Sequence, residues 1–377
     1  MQRDLTTASY LQQREASVFR TLKEICEIPS PTFHEQAKIR HLVRLLRSLG
    51  LTDVHIDGAG NAIGFLIADP KRKKFVLLSA HADTACTVPI PIRVRDDGAY
   101  LRAHGICDDS AGVTALLTFL RFVKEERVHL RKNYLVAFTV CEEGLGAKRG
   151  MKAVMKTYAK SIASVVNVES HDIGRITHAC VGQYRARLTV TTKQKGAHSY
   201  HDFGEPNAVV ILSTMIHDLS QVPFPRGVTY NVTAAEGGGR INVIPDQAQC
   251  LVEFRAEKQK DIDRLVTRFE GMVKRRKGKN VTCTLEVLAT TQAARMPKHL
   301  PMYRIARRVI TSLGIKPFFS VGNTDGDVPM AMGVPTITLG SAHGFATHSP
   351  EEKLLKKTYL QGVGQVMEVI LALDEAE

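Results

Sequence analysis

Three apolar runs in this chain finish on side chains of the kind that hold metals. Phe75-Val76-Leu77-Leu78-Ser79 leads into Ala80-His81-Ala82-Asp83, and Tyr134 to Val140 leads into Cys141-Glu142-Glu143-Gly144. The third run, Ser164-Val165-Val166-Asn167-Val168, stops at Glu169. Short runs this rich in β-branched and aromatic residues read as buried strands. In open α/β sheets, ligands gather at the carboxyl edge of the strands, so residues far apart in sequence can converge there. Two adjacent acids beside a core strand repel each other and resist desolvation unless a cation holds one of them. Taken alone, Glu142-Glu143 reads as a solvated turn. Three strands that end alike change that reading.

The rest of the chain supplies the helices such a sheet requires. Helical spacing covers Glu15 to Ile28, Glu35 to Leu49, Ser110 to Glu126, Arg149 to Lys160, Met302 to Leu313 and Leu354 to Leu373. Ser110 or Asp109 suits the cap of the third of these. Asp53 to Asp57 and Asn61 to Ile67 form a strand pair, and Pro335 to Leu339 is a further strand. Between them the texture changes. Strand Tyr184 to Thr192, helix Pro206 to Leu219, strands Val228 to Ala234 and Ala248 to Phe254, helix Lys258 to Lys277 and strand Val281 to Leu288 follow one another. That β-α-β-β-α-β order is a ferredoxin-like α+β unit. At 377 residues, two domains are expected. The economical architecture is an α/β domain in two segments, 1–183 and 296–377, with 184–295 inserted as the smaller domain.

Composition narrows the function class. The formal net charge is +13, with basic runs at Lys71 to Lys74 and Lys274 to Lys277. With no Trp, few aromatics and no nucleic-acid motif, these read as solvated loop and helix ends and not as a nucleic-acid surface. No apolar run approaches the ~20 residues of a membrane span. The start, Met1 to Thr7, carries no apolar signal segment. The seven cysteines, 26, 86, 107, 141, 180, 250 and 283, are scattered without a CxxC pair. They fit a reduced, cytoplasmic protein.

The ligand-type residues form one set. His81, Glu142 or Glu143 and Glu169 end strands, and Asp108 closes the loop Gly105-Ile106-Cys107-Asp108-Asp109 at a helix start. His348 opens His348-Ser349-Pro350-Glu351-Glu352 after the last strand. Three carboxylates and two imidazoles make an N/O site that suits Zn²⁺, with Co²⁺ or Mn²⁺ also possible. A shared carboxylate would place two ions ~3.5–4 Å apart. Metal hydrolysis further needs a base that is not a ligand, and a Glu-Glu pair supplies both roles. Rivals exist: His343 for His348, and His171 or Asp172 for Glu169. Cys107 and Cys141 read as packing residues and not as nucleophiles.

The set His81-x-Asp83, Gly105-x-x-Asp108-Asp109, Glu142-Glu143-Gly144, Glu169 and His348-Ser349 resembles the dinuclear-zinc exopeptidase and deacylase family. That family includes peptidase T, carboxypeptidase G, acetylornithine deacetylase and succinyl-diaminopimelate desuccinylase. The resemblance covers nearly the whole chain and implies a zinc-exopeptidase-like α/β domain with an inserted dimerisation or lid domain. It implies that His81 and Glu169 bind one zinc, that Glu143 and His348 bind the other, and that Asp108 bridges the two. Asp83 would orient His81. Glu142 would be the general base, taking a proton from a bridging water and delivering it to the leaving amine. His198 in Gly196-Ala197-His198-Ser199 matches the family's histidine that reaches a partner subunit's site in a homodimer, where it stabilises the oxyanion. Asn242 and Arg255 match substrate-contacting positions, and Gly322-Asn323-Thr324-Asp325 matches a loop beside the site. Ser110 follows the acid pair in the form some peptidase-like members share. The implied reaction is hydrolysis of a peptide near a free terminus, with N-acyl-amino-acid deacylation as the alternative.

Overall fold

The computed structural model describes residues 6–85, 91–170 and 172–376. Expectations placed on Met1 to Leu5, Cys86 and His171 lie outside these residues. The chain forms two compact units: one runs up to Cys180 and resumes at Arg295, and Val181–Ala294 forms the other.

The larger unit is built on a mixed sheet whose centre is four parallel strands. Asn133–Thr139, Phe75–His81, Ile162–Glu169 and Thr336–Gly340 lie side by side in that order. All seven residues of the Asn133–Thr139 strand are buried, as a parallel strand covered on both faces should be. One side of the sheet is extended by the antiparallel strands Ala62–Leu66 and Thr52–Ile56. On the other side stands Arg175–Cys180, antiparallel to Thr336–Gly340 and parallel to Phe318–Gly322. Leu77, Leu135 and Ala137 pack with Met151, Val154 and Met155 of helix Arg149–Tyr158 in one apolar cluster. Helices Thr7–Glu27, Ser110–Glu125 and Lys356–Glu375 pack on one another as a separate layer.

A small sheet sits among the loops of this unit. Lys353–Leu355 pairs with Tyr100–Arg102 and with Gly344–Phe345, and Tyr100–Arg102 pairs with Arg95–Asp96. None of these short strands is evident from periodicity, because two or three residues carry no pattern. Other departures have local causes. The first helix begins at Thr7, two turns before Glu15, with the Thr6 hydroxyl capping it. The stretch read as helix from Leu354 opens as strand Lys353–Leu355 and turns helical at Lys356. The glycine-rich loop at Gly322 is the end of strand Phe318–Gly322, followed by the short helix Asp327–Ala331. Among the described residues, no helix is long and apolar enough to cross a membrane.

The second unit is a four-stranded antiparallel sheet in the order Val228–Gly237, Gln247–Ala256, Gly182–Thr192, Val281–Thr291. Helices Ala208–Ser220 and Gln259–Arg275 close one face over a core that includes Leu188, Val252, Phe254, Leu212 and Phe269. Helix Ala208–Ser220 starts after Pro206, with Asn207 as its cap. The β-α-β-β-α-β order and the 2-3-1-4 strand arrangement are those of a ferredoxin-like fold.

Candidate metal centre

Register brings the first two candidates level. His81 faces Thr139 across one ladder, and Ser79 faces Asn167 across the other. His81 and Glu169 each lie two residues beyond that second pair, at the same height of the sheet. His81 Nε2 stands 3.7 Å from Glu169 Oε2. His81 Nδ1 lies 3.0 Å from the main-chain carbonyl of Asp83, which fixes the ring so that Nε2 faces the cluster.

Asp108 occupies the middle. Its Oδ1 is 2.9 Å from His81 Nε2 and its Oδ2 is 3.0 Å from His348 Nε2. His348 Nε2 is also 3.0 Å from Glu143 Oε1. Three groups of ligand atoms result, each within 4.8 Å of one another: His81, Asp108, Glu169; Asp108, Glu143, His348; and His81, Glu142, Glu143. The five expected ligands therefore converge, with Glu142 beside them. Asp109 does what a cap does: its carboxylate accepts the Gly112 N–H at 3.0 Å. The rival His343 is turned to Asp172 at 3.0 Å.

The electrostatics fit bound cations. Burial pushes the carboxyls of Glu142 and Glu169 well above the usual carboxylate range, and neighbouring acids add to it. Burial pulls the His81 imidazole down, but Asp108 and Asp83 outweigh it and raise the group. Asp108 and Glu143 push His348 up to about 10. Buried carboxylates in such company need positive charge among them, and two imidazoles with three carboxylates form a donor set for borderline divalent ions. Burial also raises both flanking thiols, Cys141 to about 12. Cys141 Sγ turns to Glu35 and Cys107 Sγ to the Lys353 carbonyl, so both act as packing residues. All six described cysteines are buried, and none of them forms a disulfide.

Several supporting contacts were not evident from sequence, some of them made by residues already singled out there. Buried Glu35 accepts the N–H groups of Phe33 and Cys141 at 2.9 and 3.0 Å, holding the turn before the glutamate pair. Asp83 accepts the N–H groups of both glutamates, and the Thr32 hydroxyl reaches it at 2.9 Å. Glu352 accepts three N–H groups of the Asp108 loop. Buried Lys148 pairs with Asp327 and Asn323, and Asp325 accepts from the Thr139 hydroxyl, which ties the Gly322 loop to the strand ends. A charged residue in a loop reads as solvated, so nothing local marks the parts of Glu35, Lys148, Asp327 and Glu352.

In the second unit His198 and Asn242 lie on adjoining segments. His198 bridges Val243, and the Ser199 N–H donates to the Asn242 carbonyl at 3.0 Å. His198 Nδ1 accepts the Tyr200 N–H at 3.2 Å, which leaves Nε2 as the protonated nitrogen of the neutral ring. Arg255 stands on the strand Gln247–Ala256, its Nε 2.8 Å from Glu253.

Comparison with known proteins shows the family and the fold. The pattern of peptidase family M20/M25/M40 matches residues 77–372. Carboxypeptidase G2 of Pseudomonas sp. (strain RS-16) is 24% identical over 275 residues, a match spanning 70% of this chain and 65% of that protein. A tripeptidase from Staphylococcus aureus subsp. aureus Mu50 shares the fold with a TM-score of 0.79 at 21% identity, over 96% of this chain and 99% of its own. The YXEP protein of Bacillus subtilis, described as a dinuclear metal binding peptidase of the M20 family, has a TM-score of 0.69 at 14% identity, over 96% and 98%. The family pattern extends over more than half of the sequence, and the chain belongs to peptidase family M20/M25/M40.

Proposed function

We propose that this protein is a dinuclear zinc metallopeptidase that removes a residue from a short peptide or peptide terminus. The observation that carries this reading is the placement of Asp108. One carboxylate oxygen faces His81 and the other faces His348, at 2.9 and 3.0 Å. Asp108 would in this way offer one oxygen to each of two ions. His81 and Glu169 would complete one metal position, and His348 and Glu143 the other. Zinc suits the donor set, and cobalt or manganese would be accepted by it.

When bound, the metal pair polarises the scissile carbonyl and makes water acidic enough to attack it at neutral pH. The chain's own residues do the rest. Glu143 is committed to His348, which leaves Glu142 to act as base, taking the water's proton and passing it to the leaving amine. His198, with its Nε2–H as donor, would stabilise the oxyanion from a second copy in a homodimer. Asn242 and Arg255 would contact the substrate, and the inserted unit would act as dimerisation and lid domain. Buried cysteines without a disulfide among the described residues suit work in the cytoplasm.

The test is hydrolysis by zinc- or cobalt-loaded protein of a panel of dipeptides, tripeptides and N-acyl amino acids. Release of free amino acids from the peptides is the expected result. Turnover of the acyl amino acids alone selects the deacylase reading. No turnover of either class by protein holding two ions overturns the proposal.

A further inference from the structure

Glu352 is completely buried and lies four residues beyond His348, yet its carboxylate serves the opposite loop of the centre. Oε1 accepts the N–H groups of Cys107 and Asp108 at 2.8 and 2.9 Å, and Oε2 accepts that of Gly105 at 2.9 Å. Its main chain works in the same sense. The Glu352 carbonyl accepts the Ala103 N–H at 3.1 Å, and its own N–H returns to the Ser349 carbonyl at 3.2 Å. From the next residue the chain pairs in register with Tyr100–Arg102, the strand that leads into the Asp108 loop. His348 and Asp108 are thus held to each other through one residue, although they are far apart in sequence.

We propose that Glu352 is a positioning residue that registers His348 against Asp108, and so sets the metal affinity of the position those two share with Glu143. The inference rests on the metal-centre reading above. The chemistry of the contact explains why a carboxylate is needed. It presents lone pairs on both oxygens and receives three donors at once. Glutamine in the same place would turn an NH₂ towards the Gly105 N–H, donor against donor, and the loop must shift to relieve it. Aspartate keeps the charge but falls one methylene short of the three amides. Either shift displaces the Asp108 carboxylate, while the position formed with His81 and Glu169 keeps two ligands anchored on sheet strands. Outer contacts of this kind are worth about 10–100-fold in metal affinity.

The experiment compares wild type with Glu352→Gln, Glu352→Asp and, as control, Glu351→Gln, whose side chain is exposed. Each is stripped of metal and titrated with Zn²⁺ and with Co²⁺, following ion stoichiometry, the visible spectrum of bound cobalt and the unfolding midpoint of the metal-free form. Wild type and Glu351→Gln should take up two ions. Both Glu352 variants should keep one tight ion and bind the second about 10–100-fold more weakly, with an altered cobalt spectrum. Their kcat should recover in excess metal at unchanged KM. A purely structural role would lower the metal-free midpoint and leave both affinities as they were, and that result overturns the proposal. If Glu352→Gln is recovered unfolded, Glu352→Asp carries the same reading. Wild type that takes up fewer than two ions overturns the metal reading, and this inference with it.

Discussion

Asp83 holds the main chain of Glu142: its Oδ1 accepts the Glu142 N–H at 3.0 Å. The other oxygen accepts the Glu143 N–H, also at 3.0 Å. The carboxylate is 3.5 Å from His81 Nδ1, whose nearer partner is the Asp83 carbonyl at 3.0 Å. Asp83 therefore orients the histidine mainly through its backbone. Its side chain pins the turn that parts the two glutamates, and the His81 imidazolium and both amides offset its burial and hold its carboxyl below the usual range. Asp83→Asn offers one acceptor for two amides. It should lower kcat by about 10–100-fold, read by steady-state kinetics at saturating metal.

Glu142→Ala separates base from ligand. It should keep both ions, by metal analysis, and lose about 10²–10⁴ in kcat. A variant that loses an ion in step with its activity would move Glu142 into the ligand set.

Removal of metal should silence the enzyme and loosen it. A ligand at a hundred times its Kd stabilises the folded form by about 2.7 kcal/mol, so chelation should lower the unfolding midpoint as well as abolish turnover. Zinc or cobalt added back should restore both.

His198 offers a test of assembly. His198→Ala and Glu142→Ala should each be inactive, yet a mixture allowed to exchange subunits should recover activity. Each mixed dimer would hold one site with both residues intact, about a quarter of all sites in an equal mixture. Activity that stays absent after proven exchange would place His198 outside the partner's site.

Leu135 is wholly buried midway along its strand, with Leu77 and Met151 in its cluster. Leu135→Ala should cost about 2–5 kcal/mol in urea unfolding and leave metal stoichiometry unchanged.

The strands bearing His81, Glu142 and Glu169 were legible because a core strand must be apolar and a ligand at its tip interrupts that pattern. The ferredoxin-like unit was legible because its strands alternate: Gln247–Ala256 buries every second residue. Arg175–Cys180 was not, since its six residues mix Arg, Thr and His with apolar ones and give no period. Glu35 and Glu352 stayed hidden for a different reason. The partners that matter to the centre, Cys141 for Glu35 and the Gly105–Asp108 loop for Glu352, are 106 and about 245 residues away. A carboxylate that binds distant main-chain amides leaves no trace in its own neighbourhood.

The strand Thr336–Gly340 lies between Ile162–Glu169 and Arg175–Cys180, two strands that leave the ribosome long before it. Until the late strand arrives, both neighbours present unpaired edges, the kind of surface that invites wrong pairing and chaperone capture. His348 follows that strand, so the candidate ligands His81, Asp108, Glu143, Glu169 and His348 come together only after that strand has been made. Order of manufacture thus guards the candidate centre: a nascent chain that has not reached His348 cannot bring the full ligand set together.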